Sequence, residues 1–187
     1  MLPSLLFQFL QILQIFKIKE KYNTGTRIFK LSIKILFFAY KIEQVVPHSE
    51  PMILLNRLSN YSEESGCCEV DISSHSPFYD ESLNGVASYI GCEYMAQTIA
   101  AYAGALAKDK GNEVQIGFLI GTRKYKTYAP VFKNEQTLKV SVTKLYQEES
   151  GLSVFECQIH SDETCLAEAK INVFQPQDPM QFIRENQ

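Results

Sequence analysis

Apolar and polar positions alternate along the second half of the chain. Leu138, Val140 and Val142 share one side of "TLKVSVTKLYQEESG". Phe155, Cys157 and Ile159 share one side of "LSVFECQIHSDE", and Ala167, Ala169, Ile171 and Val173 one side of "CLAEAKINVFQ". A period of two predicts half-buried strands, and "QEESG" and "HSDET" predict the hairpin connections between them. "GCCEVDIS" alternates through Cys68, Val70 and Ile72, and "VQIGFLIGTRKYKTYA" reads as a further strand with a break near Gly121. One stretch has a different rhythm. "SYIGCEYMAQTIAAYAGALA", residues 88–107, is apolar nearly all round and predicts one long helix, closed by Lys108, Lys110 and Gly111. A single helix followed by antiparallel strands is an α+β layout in which the sheet wraps the helix.

The remaining segments connect these elements. "VVPHSEPMILLNRLSNYSE" places a Pro-His-x-x-Pro turn before the apolar run Met52 to Leu55, which suits the entry to a core strand or a short helix. "SSHSPFYDESLNGVAS" is rich in turn formers and reads as a loop. The first forty residues differ from everything after them. They hold six of the eighteen Lys/Arg and one of the twenty-one Asp/Glu, and Ile, Leu, Phe and Lys dominate. The apolar run Leu2 to Phe16 is too short for a membrane span and is interrupted by Gln8, Gln11 and Gln14. No Lys or Arg precedes it as a secretory signal would require. We expect residues 1–40 to be a non-native or disordered extension, residues 41–175 to be the domain, and residues 176–187 to be a loose tail.

Charge and cysteine content narrow the function. A formal net charge of −3 leaves no basic footprint for nucleic acid. Five cysteines with no CxxC spacing and no Cys/His cluster argue against a metal site and for reduced thiols in a cytoplasmic protein. Only His48, His75 and His160 can supply an imidazole. His75, in a Ser-rich turn, and His160, at a strand end, are expected to be exposed and idle.

Glu93 is the anomaly of the helix. A carboxylate on an apolar helix is costly to bury without a partner. Gln97 lies four residues on, on the same face, followed by the small residues Ala100, Ala101 and Gly104. This polar stripe suits a ligand chain lying along the helix, or two helices packed closely in a dimer. A purely structural carboxylate, favoured by the helix dipole and bonded to Gln97, also fits.

"PFYDESLNGVASYIGCEYMAQTIAAYAG" resembles the core of the hot-dog-fold 3-hydroxyacyl-ACP dehydratases, with Glu93-Tyr94-Met95-Ala96-Gln97 matching their helix motif. "VVPHSEPMILLNRL" resembles their Pro-His-x-x-Pro segment, with Asn56 where Asp is usual, and "CEYMAQTIAA" and "IGFLIGTRKY" resemble the ApeP-like branch of aryl polyene clusters. The resemblance spans about residues 41–175. It implies a hot-dog fold, two subunits with sites at their interface, and water removal from a 3-hydroxyacyl chain on acyl carrier protein, with no cofactor and no metal. Glu93 would be a catalytic carboxyl, with the Gly91 and Cys92 backbone N–H groups and Gln97 contacting substrate. Typical members take their base from a loop His, and here "DESLNGVASYIG" has none. His48 from the Pro-His-x-x-Pro turn is one replacement. A His supplied by a conventional dehydratase partner in a heterodimer is another. The loop carboxylates Asp80 and Glu81 are expected to be solvated. Arg123, Lys124 and Lys126 form the one basic cluster, suited to an acidic carrier protein. A noncatalytic partner subunit and a hot-dog thioesterase are the competing functions.

Overall fold

The computed structural model describes residues 40–185. The expectation for residues 1–40 therefore lies, apart from Tyr40, outside the described residues. A short 3-10 turn, Ile42–Gln44, leads to an irregular segment and then β1 (Arg57–Tyr61) and β2 (Ser65–Asp71). Two short strands follow, β3 (Tyr79–Asp80) and β4 (Gly85–Ala87), and then α1 (Gly91–Asp109), entered through a 3-10 turn at Ser88–Ile90. The second half is β5 (Phe118–Thr127), β6 (Val131–Lys133), β7 (Thr137–Gln147), β8 (Leu152–Ser161), β9 (Thr164–Phe174) and α2 (Pro179–Glu185).

Six strands form one antiparallel sheet in the order β1-β2-β7-β8-β9-β5. The alternating residues explain the register. Val70 pairs with Leu138, Cys68 with Val140, Val142 with Cys157, and Ile159 with Ala167, all buried. Their shared face packs on α1, which buries Tyr94, Met95, Ile99, Ala101, Tyr102 and Ala105. This is the hot-dog arrangement expected from the sequence, a sheet wrapped around one long helix.

Three details depart from expectation. The loop before the helix contains β3 and β4, which form a small second sheet with β6 in the order β3-β4-β6. The tail expected to be loose ends in α2, where Phe182 meets Phe118 and Phe174 with ring centroids 4.9 Å and 5.2 Å apart. Those aromatics give an otherwise polar segment something to bury against. Finally, the small-residue stripe faces neither a ligand nor a second helix at Gly104. A Cβ there would collide with the Val45 carbonyl, so the chain's own entry segment, with Ile42, Val45 and Val46 buried, occupies that side of α1.

Candidate active site

The site is assembled around Gln97. This residue is completely buried, and its amide bonds three groups of the protein. Oε1 accepts the Leu54 N–H at 2.9 Å, while Nε2 donates to the Met52 carbonyl at 2.8 Å and to Glu93 Oε1 at 2.9 Å. The segment from His48 to Leu54 carries no helix or strand, so its backbone groups need partners from elsewhere. Gln97 supplies two of them. It thereby fixes the Pro-His-x-x-Pro segment against the helix and orients Glu93 one turn back.

Glu93 is half-buried, and its second carboxylate oxygen takes no hydrogen bond from a described residue. That leaves one oxygen available to a substrate or partner. His48 is half-buried as well, and its Nδ1 is buried without a hydrogen-bond partner. Buried polar atoms are rarely left so. His48 and Glu93 share no hydrogen bond with each other; they are linked through the segment that Gln97 holds.

Two expected substrate contacts have partners within the chain itself. Gln97 has no exposed surface, and both its Nε2 protons and one acceptor site of Oε1 are engaged within the chain, where it orients Glu93. The Gly91 N–H closes the preceding 3-10 turn onto the Ser88 and Tyr89 carbonyls, which removes it from the donors expected for a thioester oxygen. What Gly91 provides is space: a Cβ would run into the Tyr125 hydroxyl, Ile159 and Phe132. Cys92 is half-buried, and burial, reinforced by the Glu93 carboxylate, pushes its thiol up, which lowers its thiolate fraction.

The loop carboxylate Asp80 caps its own turn. Its Oδ1 accepts from the Ser82 N–H at 2.8 Å and the Ser82 hydroxyl at 2.6 Å, and Ser82 holds the carboxyl below its ordinary range. It is therefore poorly suited to act as a base. Of the basic cluster, Arg123 and Lys124 are exposed, whereas Lys126 donates to the Tyr128 hydroxyl at 2.6 Å and lies 3.6 Å from Glu168. The sequence reading missed a cleft of about 240 Å³ between residues 53–56 and the 73–77 loop. Buried Leu54, Val70 and Tyr94 line it, and exposed Ser73 and His75 border it. His75 thus stands at a cleft and not on a featureless surface. Only the apolar run at 52–55 hinted at this feature in the sequence.

Residues 40–184 match the ApeP-like family, described as ApeP dehydratase. The chain belongs to the ApeP-like dehydratase family. The 3-hydroxyacyl-acyl-carrier-protein dehydratase FabZ of Staphylococcus carnosus is 28% identical over 110 residues, covering 56% of this chain and 74% of the relative. A chain from the dehydratase heterocomplex ApeI:P of Xenorhabdus doucetiae superposes with a TM-score of 0.72 at 27% identity, covering 78% of this chain and 96% of that one. A hypothetical thioesterase from Streptococcus pneumoniae, solved with coenzyme A, has a TM-score of 0.51 at 9% identity, covering 64% and 84%. That likeness is one of fold alone. The ApeP-like chain is thus a hot-dog dehydratase relative, with Glu93 of the helix motif at the centre of its candidate site.

Proposed function

We propose that this chain removes water from 3-hydroxyacyl thioesters carried on acyl carrier protein, giving the trans-2-enoyl thioester, in fatty acid or aryl polyene type biosynthesis. The observation that carries this reading is the Glu93 carboxylate: one oxygen is fixed by Gln97 and the other takes no hydrogen bond from a described residue. In the elimination, a base takes the α-proton while an acid protonates the departing β-hydroxyl, which leaves as water as the α–β double bond forms. Glu93 enters this step as the neutral carboxylic acid, gives its proton to the leaving hydroxyl and ends as the carboxylate, while the base keeps the α-proton. His48, with an unpartnered ring nitrogen, is this chain's own candidate base. Backbone N–H groups at the start of α1 would receive the thioester oxygen, with Cys92 the first candidate now that the Gly91 N–H is engaged.

A second reading is favoured by one observation. The stretch Asp80 to Ile90 directly before α1 holds no histidine, and its Asp80 carboxylate is spent on a turn. The chain then supplies Glu93 to a site completed by a histidine from a different hot-dog subunit. The named heterocomplex relative makes such mixed pairing a natural expectation.

The full chain mixed with a 3-hydroxyacyl-ACP and followed by mass spectrometry separates the two. Loss of one water, abolished in folded Glu93→Gln and His48→Ala variants, supports a self-sufficient dehydratase. No loss alone, but loss on adding a histidine-bearing dehydratase, supports the shared site. Loss of the whole acyl group by hydrolysis points to a thioesterase and overturns both.

A further inference from the structure

The start of α1 is held by a residue from the far edge of the sheet. Tyr125 lies on β5, the last strand in the order, which pairs with β9 on one side. Its hydroxyl donates to the Ser88 carbonyl at 2.5 Å. The same carbonyl accepts the Gly91 N–H, and the buried Ser88 donates its own N–H to the Pro130 carbonyl at 3.0 Å. The same hydroxyl, with Ile159 and Phe132, fills the space that a Cβ at position 91 would need. Burial pushes the Tyr125 phenol up, so it remains a protonated donor.

A β-bulge aims this side chain. Thr122 pairs with Ile171 and Tyr125 with Ala169, so three steps along β5 match two along β9. Side chains alternate along a strand. Without the extra residue, positions 122 and 125 would face opposite sides of the sheet. With it, Tyr125 stays on the face shared by Ile171 and Ala169, both buried, while Arg123 and Lys124 remain exposed. The Thr122 hydroxyl, donating to the Lys170 carbonyl at 2.8 Å, braces the strand beside the bulge.

We propose that Tyr125 is a positioning residue for the Glu93 site, fixing the 88–91 turn from which the catalytic helix starts. The role rests on the dehydratase reading only where activity is the readout. The hydroxyl sets the Ser88 carbonyl, the carbonyl sets the turn, and the turn sets the direction of the N–H groups and the Glu93 side chain that follow. Small misplacements of such groups cost rate more than affinity, since the substrate's remaining contacts are intact.

The test is Tyr125→Phe in the full chain, which removes the hydroxyl and keeps the ring. Hydrogen exchange by mass spectrometry should rise in peptides covering residues 88–95, and iodoacetamide should alkylate Cys92 severalfold faster. Exchange in β7 and β8 should not change. In the assembly that dehydrates 3-hydroxyacyl-ACP, kcat should fall about tenfold, with KM held within about twofold. Unchanged exchange and alkylation at 88–95 in folded protein overturn the proposal, as does loosening spread over the whole sheet. The local signature in a chain that never dehydrates any substrate supports the positioning role and overturns the proposed reaction instead.

Discussion

Gln97 and Glu93 meet at 2.9 Å across one turn of α1, and the two residues have opposite relations to solvent. Gln97 is sealed, and Glu93 is open on one oxygen. Their substitutions should therefore separate stability from chemistry. Gln97→Ala strands the Leu54 N–H and the Met52 carbonyl and should lower stability by about 2–4 kcal/mol. Glu93→Gln should change it by less than about 1 kcal/mol while removing activity. Urea unfolding of the two variants alongside the unaltered chain checks both.

Gly104 is a second position where little can change. A methyl group there meets the Val45 backbone carbonyl, which cannot swing away as a side chain would. Gly104→Ala should cost about 1–3 kcal/mol through overpacking, although alanine is the better helix former. Thermal unfolding that showed a gain would mean the entry segment is not held there.

Acid should weaken the β1–β2 hairpin through one carboxylate. Arg57 bonds Asp71 Oδ2 at 2.5 Å and Glu69 Oε2 at 2.6 Å. Its guanidinium, helped by the Thr137 hydroxyl, holds the Asp71 carboxyl below its ordinary value of 3.8. A depressed folded-state value gives stability that is present above the unfolded value and lost as pH falls through the folded one. With the Arg57 and Asp71 side chains 39% and 42% exposed, screening limits the pair to about 1 kcal/mol or less. Asp71→Asn should accordingly be less stable than the unaltered chain at neutral pH. The gap should close as pH drops below 3.8, read as melting temperature against pH.

The outer strand should be a site of association. β5 exposes Leu119 and Ile120 at 45% and 56%, just after Ile116 at 38%. Exposed apolar residues at an unpaired strand edge invite pairing with another chain. Ile120→Lys should shift the chain, or its mixture with a second dehydratase subunit, toward the monomer in sedimentation. An unchanged distribution would place the contact elsewhere.

The parts of this molecule that were readable in advance are those with a period. Alternation at 138–142, 155–159 and 167–173 marked β7, β8 and β9, and the apolar run at 88–107 marked α1 to within a turn. The break suspected at Gly121 is a bulge between Leu119 and Gly121, with Gly121 at φ 144°. What escaped was set by partners remote in sequence. Gln97 looked like a substrate contact because nothing local revealed that residues 52–54 would consume its amide. Gly91 looked like a donor because the sequence does not show a turn already using its N–H. Tyr125 was unremarkable until the second bulge turned it inward. The helix at 179–185 has no strong pattern of its own and depends on Phe118 and Phe174.

The tyrosine pair at the other end of α1 bears on where this domain can be cut. Tyr40 donates to the Asp109 carboxylate at 3.1 Å, as does Tyr61, and the two rings lie 6.5 Å apart. The first described residue is thus clasped to the last turn of the helix that carries Glu93 in its first turn. At 1.5 Å of rise per residue, about 24 Å of helix separates Asp109 from Glu93. Cleavage or a fusion joint just upstream of Tyr40 is then an edit made at the pole opposite the chemistry. Moving the joint a few residues downstream would instead release the clasp and the Val45 strap with it.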